Sequence, residues 1–456
     1  MRALRLISGL CLAAVLAASA TAAPVAARLE AQAASIRTTT LQNGLKVIVW
    51  PDHDIPNVAL YTWFHVGSRN ERPGITGLSH FFEHMMFNGT SDHPQGDFDR
   101  IMEARGGSNN AYTTEDVTVY QDWFPRHALD TILSLEADRM AHLAFKPEVI
   151  ESERGVVYSE RRSSVDNDNF SLLMEQVQST AFVAHPYHIP VIGWPSDIEH
   201  WTIDDLRHYY HTYYAPNNAT MVVVGDVDPA VVFARVRHYF GGIPGAAPPA
   251  PIRTVEPPQP GPRRVTINKP AQSPIVEMAF HTPKVAADTS PAVDLLLTIL
   301  TDGDSSRLHK LLVEDRQAAI SVGGYRHKGF DPGLTWLYAV LPTDGDPDAV
   351  ENMMLDELAR IADQGVSNAE LAKARSIRLA DFWRRLSTIS GKAQVLGEYE
   401  AFHGGYGALF SAPESYEAVT SEAIRDVARQ YFTLDNCTTG ELVPAADVDQ
   451  EADSGN

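Results

Sequence analysis

Apolar positions along this chain recur with two periods, and the places where the period changes mark its elements. Thr40-Leu41 and Lys46-Val47-Ile48-Val49 flank Asn43-Gly44, a dipeptide that favours the tight turn of a hairpin. The stretch 58–66 is apolar almost throughout, which predicts a buried strand. Further on, a strand-like run ends at Phe124 and leads to a helix over about 128–140, then to a second helix opened by Pro147. The same succession returns later, with a strand-like run over 335–341, a helix over 348–362 and another from Asn368. A repeated order of strands and helices predicts an α+β fold made of two α/β lobes related by duplication.

Between the repeats, residues 243–264 read IPGAAPPAPIRTVEPPQPGPRR. Such density of proline and glycine marks a linker, with one domain over 36–242 and another over 265–445. Its prolines favour an extended, semi-rigid connection, which suits two lobes held at a distance better than two lobes fused into one core. The acidic, alanine-rich tail over 446–456 is expected to be disordered.

Composition adds a compartment and removes some partners. Arg2 and Arg5 precede an apolar stretch over 6–18 and the small residues Ala20, Thr21, Ala22 and Ala23, the pattern of a cleavable signal peptide over 1–22 and of a periplasmic or secreted protein. No apolar stretch reaches the ~20 residues of a membrane span. Of the two cysteines, Cys11 lies in the signal and only Cys437 remains, so no intrachain disulfide holds the fold. The formal charge of −21, two units more negative without Arg2 and Arg5, excludes nucleic acid as a natural partner.

Residues 77–90 read GLSHFFEHMMFNGT. On a helix, His80, Glu83 and His84 share one face over an arc of about 100°, so both imidazoles can reach one ion. Leu78, Phe81, Phe82, Met85 and Met86 surround them and predict a buried helix, apolar nearly all round. Polar groups buried there need partners. A zinc ion is one such partner; three polar residues satisfied by ordinary hydrogen bonds are the competing reading. Zinc in hydrolases takes three protein ligands and keeps one open position, so a third ligand is required. On the helix opened by Pro147, Val149, Ile150, Glu153, Val156, Val157 and Glu160 form one stripe, while Glu148, Glu151, Ser152, Arg154, Ser159 and Arg161 point elsewhere. Glu153 and Glu160 thus interrupt a core-facing stripe and call for a cation, a donor or a proton. A divalent metal answers that need, as would solvent or an arginine at the edge of the stripe.

His80-Phe81-Phe82-Glu83-His84, followed by Glu160 76 residues after His84, resembles the inverted zinc motif of the pitrilysin, insulin-degrading enzyme and mitochondrial processing peptidase family. The resemblance runs over roughly 36–445. It takes in Gly106-Gly107-Ser108-Asn109-Asn110-Ala111-Tyr112-Thr113, Glu153-Arg154-Gly155-Val156-Val157 and the segment from His185-Pro186-Tyr187 to Gly225-Asp226. Length and a single linker are most similar to the shorter bacterial and mitochondrial branch, in which one chain has two homologous domains and two chains close into a chamber. The resemblance implies two homologous lobes, each a mostly antiparallel sheet packed with helices. It implies a zinc metalloendopeptidase acting on peptides or unfolded segments. One zinc per chain would lie on His80, His84 and Glu160, with Glu83 as general base and Glu153 orienting the ligands from behind. Asn110, Ala111 and Tyr112 match the edge strand on which the family lays its substrate; an exposed edge offers unpaired N–H and C=O groups to an added strand. Without the resemblance the same segment reads as an ordinary strand.

The second half departs from the family. Relatives active as single chains carry there an arginine and a tyrosine, seven residues apart, that hold substrate near the metal. Alignment on Ser305-Ser306-Arg307-Leu308 puts Val313 and Ile320 at those places, and neither donates a side-chain hydrogen bond. Ala374 takes the place corresponding to Glu153, and no His-x-x-Glu-His recurs. The expected partner is therefore a homologous subunit that supplies the clamp, giving a heterodimer, with a homodimer as the other arrangement. Arg307, Arg316 and Tyr325 lie close enough in sequence to substitute for the clamp but read mostly as surface or packing residues, His208 and His211 read as packing residues, and His185 and His188 as parts of a structured loop. The alternative function is a non-catalytic scaffold or assembly subunit of the same fold; the complete set of ligands and base favours the enzyme.

Overall fold

The computed structural model describes residues 31–445, so the expected signal and the acidic tail lie outside the described residues. Strands β1 (Arg37–Thr40), β2 (Lys46–Pro51), β3 (Asn57–Phe64), β4 (Ser108–Thr113), β5 (Thr118–Pro125) and β6 (Ala219–Gly225) form one sheet in the order β1-β2-β6-β3-β5-β4. Strands β7 (Arg263–Pro270), β8 (Ile275–Thr282), β9 (Ser321–Arg326), β10 (Gly333–Val340) and β11 (Cys437–Ala445) form a second, in the order β7-β11-β8-β10-β9. The pairs β2 with β6 and β7 with β11 are parallel and the pairs beyond them antiparallel. From those parallel pairs onward, the second sheet repeats the first strand for strand. Gly44, at φ +93°, makes the turn between β1 and β2, as Asn43-Gly44 predicts. Among the described residues no helix is long and apolar enough to cross a membrane.

Both faces of β3 are covered, which is why its sequence is apolar almost throughout. Val58, Leu60 and Phe64 join the core beneath the motif helix Leu78–Met85, while Ala59, Tyr61 and Trp63 face a different cluster. The cover on that second face comes from the far half of the chain: helix Ile389–Phe402 lays Ile389, Ala393 and Leu396 against it. Reciprocally, helix Asn169–Ala181 of the first half lays Leu173 and Val177 against Ile275, Ala279 and Leu442 of the second sheet. Each contact is close enough to demand glycine. A Cβ at Gly397 would stand 2.1 Å from Trp63 Nε1, and one at Gly440 2.2 Å from Val177 Cγ2.

This exchange corrects the expectation of two lobes held at a distance. Residues 243–262 carry no helix or strand, and β7 begins at Arg263, inside the segment read as linker. Prolines make that strap extended, but they do not decide how the lobes meet. Two sheets with apolar outer faces do, since each needs a cover. Polar contacts reinforce the junction: Arg69 bonds Asp116 at 2.8 Å and also reaches Asp331, and His185 lies 3.1 Å from Asp331.

Candidate metal centre

The motif helix starts where the chain leaves Gly77 in the left-handed region, at φ +87°, tight against the carbonyl of Ile192. The free amides of its first turn meet the buried carboxylate of Glu71, which accepts from Gly77 N at 2.6 Å and Ser79 N at 2.7 Å. Burial pushes that carboxyl up to about 8, against the two amides, which favour its charged form. Leu78, Phe81, Phe82 and Met85 are buried, so the rotation of the helix is fixed and His80, Glu83 and His84 turn toward helix Pro147–Arg161.

There the two helices converge. His80 Nε2 lies 3.6 Å from one carboxylate oxygen of Glu160, and His84 Nε2 lies 3.4 Å from the other. Two ligands each ~2.0–2.1 Å from a tetrahedral ion stand about 3.3–3.4 Å apart. The donor set and its spacing therefore fit zinc, and they form a group whose ligand atoms all lie within 4.8 Å of one another. Behind them, Glu153 accepts from His84 Nδ1 at 2.8 Å, which leaves Nε2 of the neutral ring free to act as a ligand. Glu83 stands outside this triad and accepts from Thr113 Oγ1 at 2.6 Å.

Electrostatics divide the two histidines. Burial, then the neighbouring His84, push His80 down to about 4. Burial works the same way on His84, yet the carboxylates of Glu153 and Glu160 outweigh it and lift the ring to about 9. Glu160 is held below its ordinary value, first by the bond from His84. Glu83 is raised by burial, with the Thr113 bond opposing. The cluster gathers negative charge that a cation would neutralise.

Its open side gives onto a cavity of about 560 Å³, lined by Tyr112 and Thr113 of β4, Met174 and Gln178 of the exchanged helix, and Tyr325 of β9. Among the described residues β4 pairs only with β5 and is the free edge of its sheet. Tyr112 reaches the cavity and accepts from Gln394 Nε2 at 2.8 Å; Asn110 and Ala111 lie farther along the same edge. Val313 packs partly buried on the second core, and Ile320 is 59% exposed.

Several sequence readings need correction. Val156 is 48% exposed although its stripe faces the core, whereas Arg161, expected to point away, is buried and paired with Glu175 at 2.8 Å. Helix Pro147–Arg161 packs on more than one side, which a single stripe does not describe. His208 and His211 are exposed; the neighbouring tyrosines 209, 210 and 214 do the packing. Arg307 is engaged by Glu357 and Glu370, as a packing residue would be, but Tyr325 lines the cavity. Thr113 is legible from strand period, two positions after Ala111 on the face toward the motif helix. Gln178 and Tyr325 carry no local signal, because the lobe exchange brings them to the site.

Comparison with known proteins bears on this geometry. Residues 46–193 match the family model for insulinase (peptidase family M16), and residues 200–378 match that for the peptidase M16 inactive domain. The chain is 30% identical over 412 residues to the zinc protease PqqE of Helicobacter pylori, covering 89% of this chain and 92% of the relative. A crystal structure of a protease from Helicobacter pylori superposes with a TM-score of 0.87 at 29% identity, over 90% of this chain and 99% of that one. The periplasmic protease PqqL of Escherichia coli shares the fold, with a TM-score of 0.74 at 21% identity over 90% of this chain and 48% of that one.

Proposed function

The chain belongs to the M16 (insulinase) peptidase family, and from that premise we propose that it is a zinc-dependent endopeptidase that cuts peptides or unfolded segments. The observation that carries this reading is the convergence of His80, His84 and Glu160 at 3.4 and 3.6 Å, with Glu83 beside them facing the same cavity. One zinc held by these three residues supplies polarisation of the scissile carbonyl and a water acidified toward a pKa of ~7. Glu83, fixed by Thr113, takes the proton of the attacking water and delivers it to the leaving amine. Glu153 holds the His84 ring in the orientation and tautomer that ligation needs. The free edge of β4, with Asn110, Ala111 and Tyr112, pairs with the substrate backbone as an added strand.

The chain works in the periplasm or outside the cell, on the strength of its basic and apolar first residues and of its likeness to a periplasmic protease. Its partner is a homologous subunit that completes a two-chain chamber and brings the donors missing at Val313 and Ile320. The test is hydrolysis of denatured casein by wild type and by Glu83→Gln at equal zinc content. The reading expects the substitution to lower kcat by at least about 10²-fold. Equal turnover, or full biological function in the variant, would point instead to the scaffold.

A further inference from the structure

A smaller cavity of about 100 Å³ adjoins the catalytic one, and Glu115, Gln178 and Tyr325 border both. Its walls are Phe182 and Tyr187 from the first half and Leu334 and Trp336 of β10. Tyr325 forms part of the rim, stacked on Trp336 at 5.6 Å and 10°. The pocket therefore lies between the lobes, and each lobe contributes half of its wall.

Its place along the substrate follows from β4. Thr113 bonds the proposed base Glu83, and Glu115 is two residues farther on, at most about 7 Å of chain. A strand added along β4 advances at nearly the same rise. The side chain that meets this neck thus belongs to a residue within about two positions of the bond over Glu83.

Its chemistry follows from what the polar groups are already doing. Glu115 accepts from Gln178 at 3.3 Å and faces His327 Nε2 at 3.4 Å. The hydroxyl of Tyr187 donates to Asp116 at 2.9 Å, and that of Tyr325 to Met174 Sδ at 3.1 Å. Glu115 and His327 answer each other, so a charged guest would lose its water without gaining a free partner. What the pocket offers is aromatic and aliphatic surface. At about 100 Å³ it is far smaller than the neighbouring cavity, which suits a compact aliphatic group better than an indole.

We propose that this side pocket is a specificity subsite for one compact apolar side chain, Leu, Ile, Val or Met, next to the cut, and that the two lobes read substrate sequence through it together. The inference rests on the peptidase reading above, and its test has two arms that fail separately. In the first, cleavage sites of wild type in denatured casein are mapped by mass spectrometry. One position within two residues of the cut should be enriched in those four residues over Gly, Asp, Lys and Trp by about tenfold. Tyr325→Ala, which widens the rim, should move the preference toward Phe and Trp with zinc content and melting temperature unchanged. Should that variant melt early, Tyr325→Trp tests the same rim in the opposite sense, favouring Val over Leu. In the second arm, Glu83→Gln binds labelled extended peptides that differ at that position alone, read by fluorescence anisotropy. Replacing Leu by Gly or Lys should weaken binding about tenfold. No enrichment near the cut, a preference for basic residues, a profile indifferent to both rim variants, or equal binding of the Leu, Gly and Lys peptides would overturn the subsite. Failure of wild type to cut while the peptides still bind in that order would count against the peptidase reading and leave the pocket standing.

Discussion

At the scale of residues, the candidate metal centre is an arrangement in which each polar group compensates another. Glu153 is the telling member, because it stands behind the ligands and acts through His84 Nδ1 at 2.8 Å. Removing its charge while keeping its shape should loosen the ring rather than delete a ligand. Glu153→Gln is expected to weaken zinc affinity by about 10- to 100-fold, measured by competition with a chelator, while wild-type kcat returns at saturating zinc. An affinity unchanged from wild type would mean that the bond does not orient the ligand. The candidate ligands are legible in the sequence, since His80, His84 and Glu160 belong to a helical period and to a motif of known spacing. Thr113 under Glu83 is legible in part, through strand alternation. Arg161 is not, because its partner Glu175 is on another helix, and no pattern within 147–161 announces it.

At the scale of elements, the exchanged helices explain features that local sequence leaves puzzling. On β8, Ile275, Glu277 and Ala279 alternate onto the face that helix Asn169–Ala181 covers, and there the carboxyl of Glu277 is buried with neither oxygen hydrogen-bonded among the described residues. Burial alone lifts it to about 9, against an ordinary value near 4.5, so the folded chain keeps a proton that the unfolded chain releases. Between those two values the contribution of this group to wild-type stability must fall as pH rises, by up to about 1.4 kcal/mol per pH unit. Glu277→Gln removes this slope. Denaturant unfolding between pH 5 and pH 8 should show a variant that gains on wild type with each step upward. Parallel curves would contradict the account. Helix and strand positions themselves are readable from periodicity, including the succession after Phe124 and its repeat after Leu341. Which sheet a helix covers is not, because Leu173 and Val177 are apolar whichever lobe they meet.

At the scale of the molecule, one chain makes two sheets of closely related strand order, and a helix from each half covers the outer face of the other half's sheet. The Pro-rich segment is extended, as its composition implies, yet it spaces nothing apart, since proline content fixes local backbone and carries no information on lobe packing. The same architecture packs Val313 partly buried in its own lobe and leaves Ile320 exposed, and on the proposed reading a partner brings the clamp. A homologous second chain is expected to raise peptide hydrolysis well above that of the isolated chain, by at least about tenfold, when the two are mixed at equal concentration. Full activity of the chain alone, as a homodimer, would remove the need for such a partner. Beneath all of this stands the claim that two helices bring His80, His84 and Glu160 onto a single zinc. Zinc per chain, measured by mass spectrometry on wild type, Glu83→Gln and Glu160→Gln purified side by side, tests it most directly. The account predicts one zinc in the first two and less than about a tenth in Glu160→Gln with its circular dichroism unchanged; a wild type that takes up no zinc, or a Glu160→Gln variant that keeps a full complement, would contradict it.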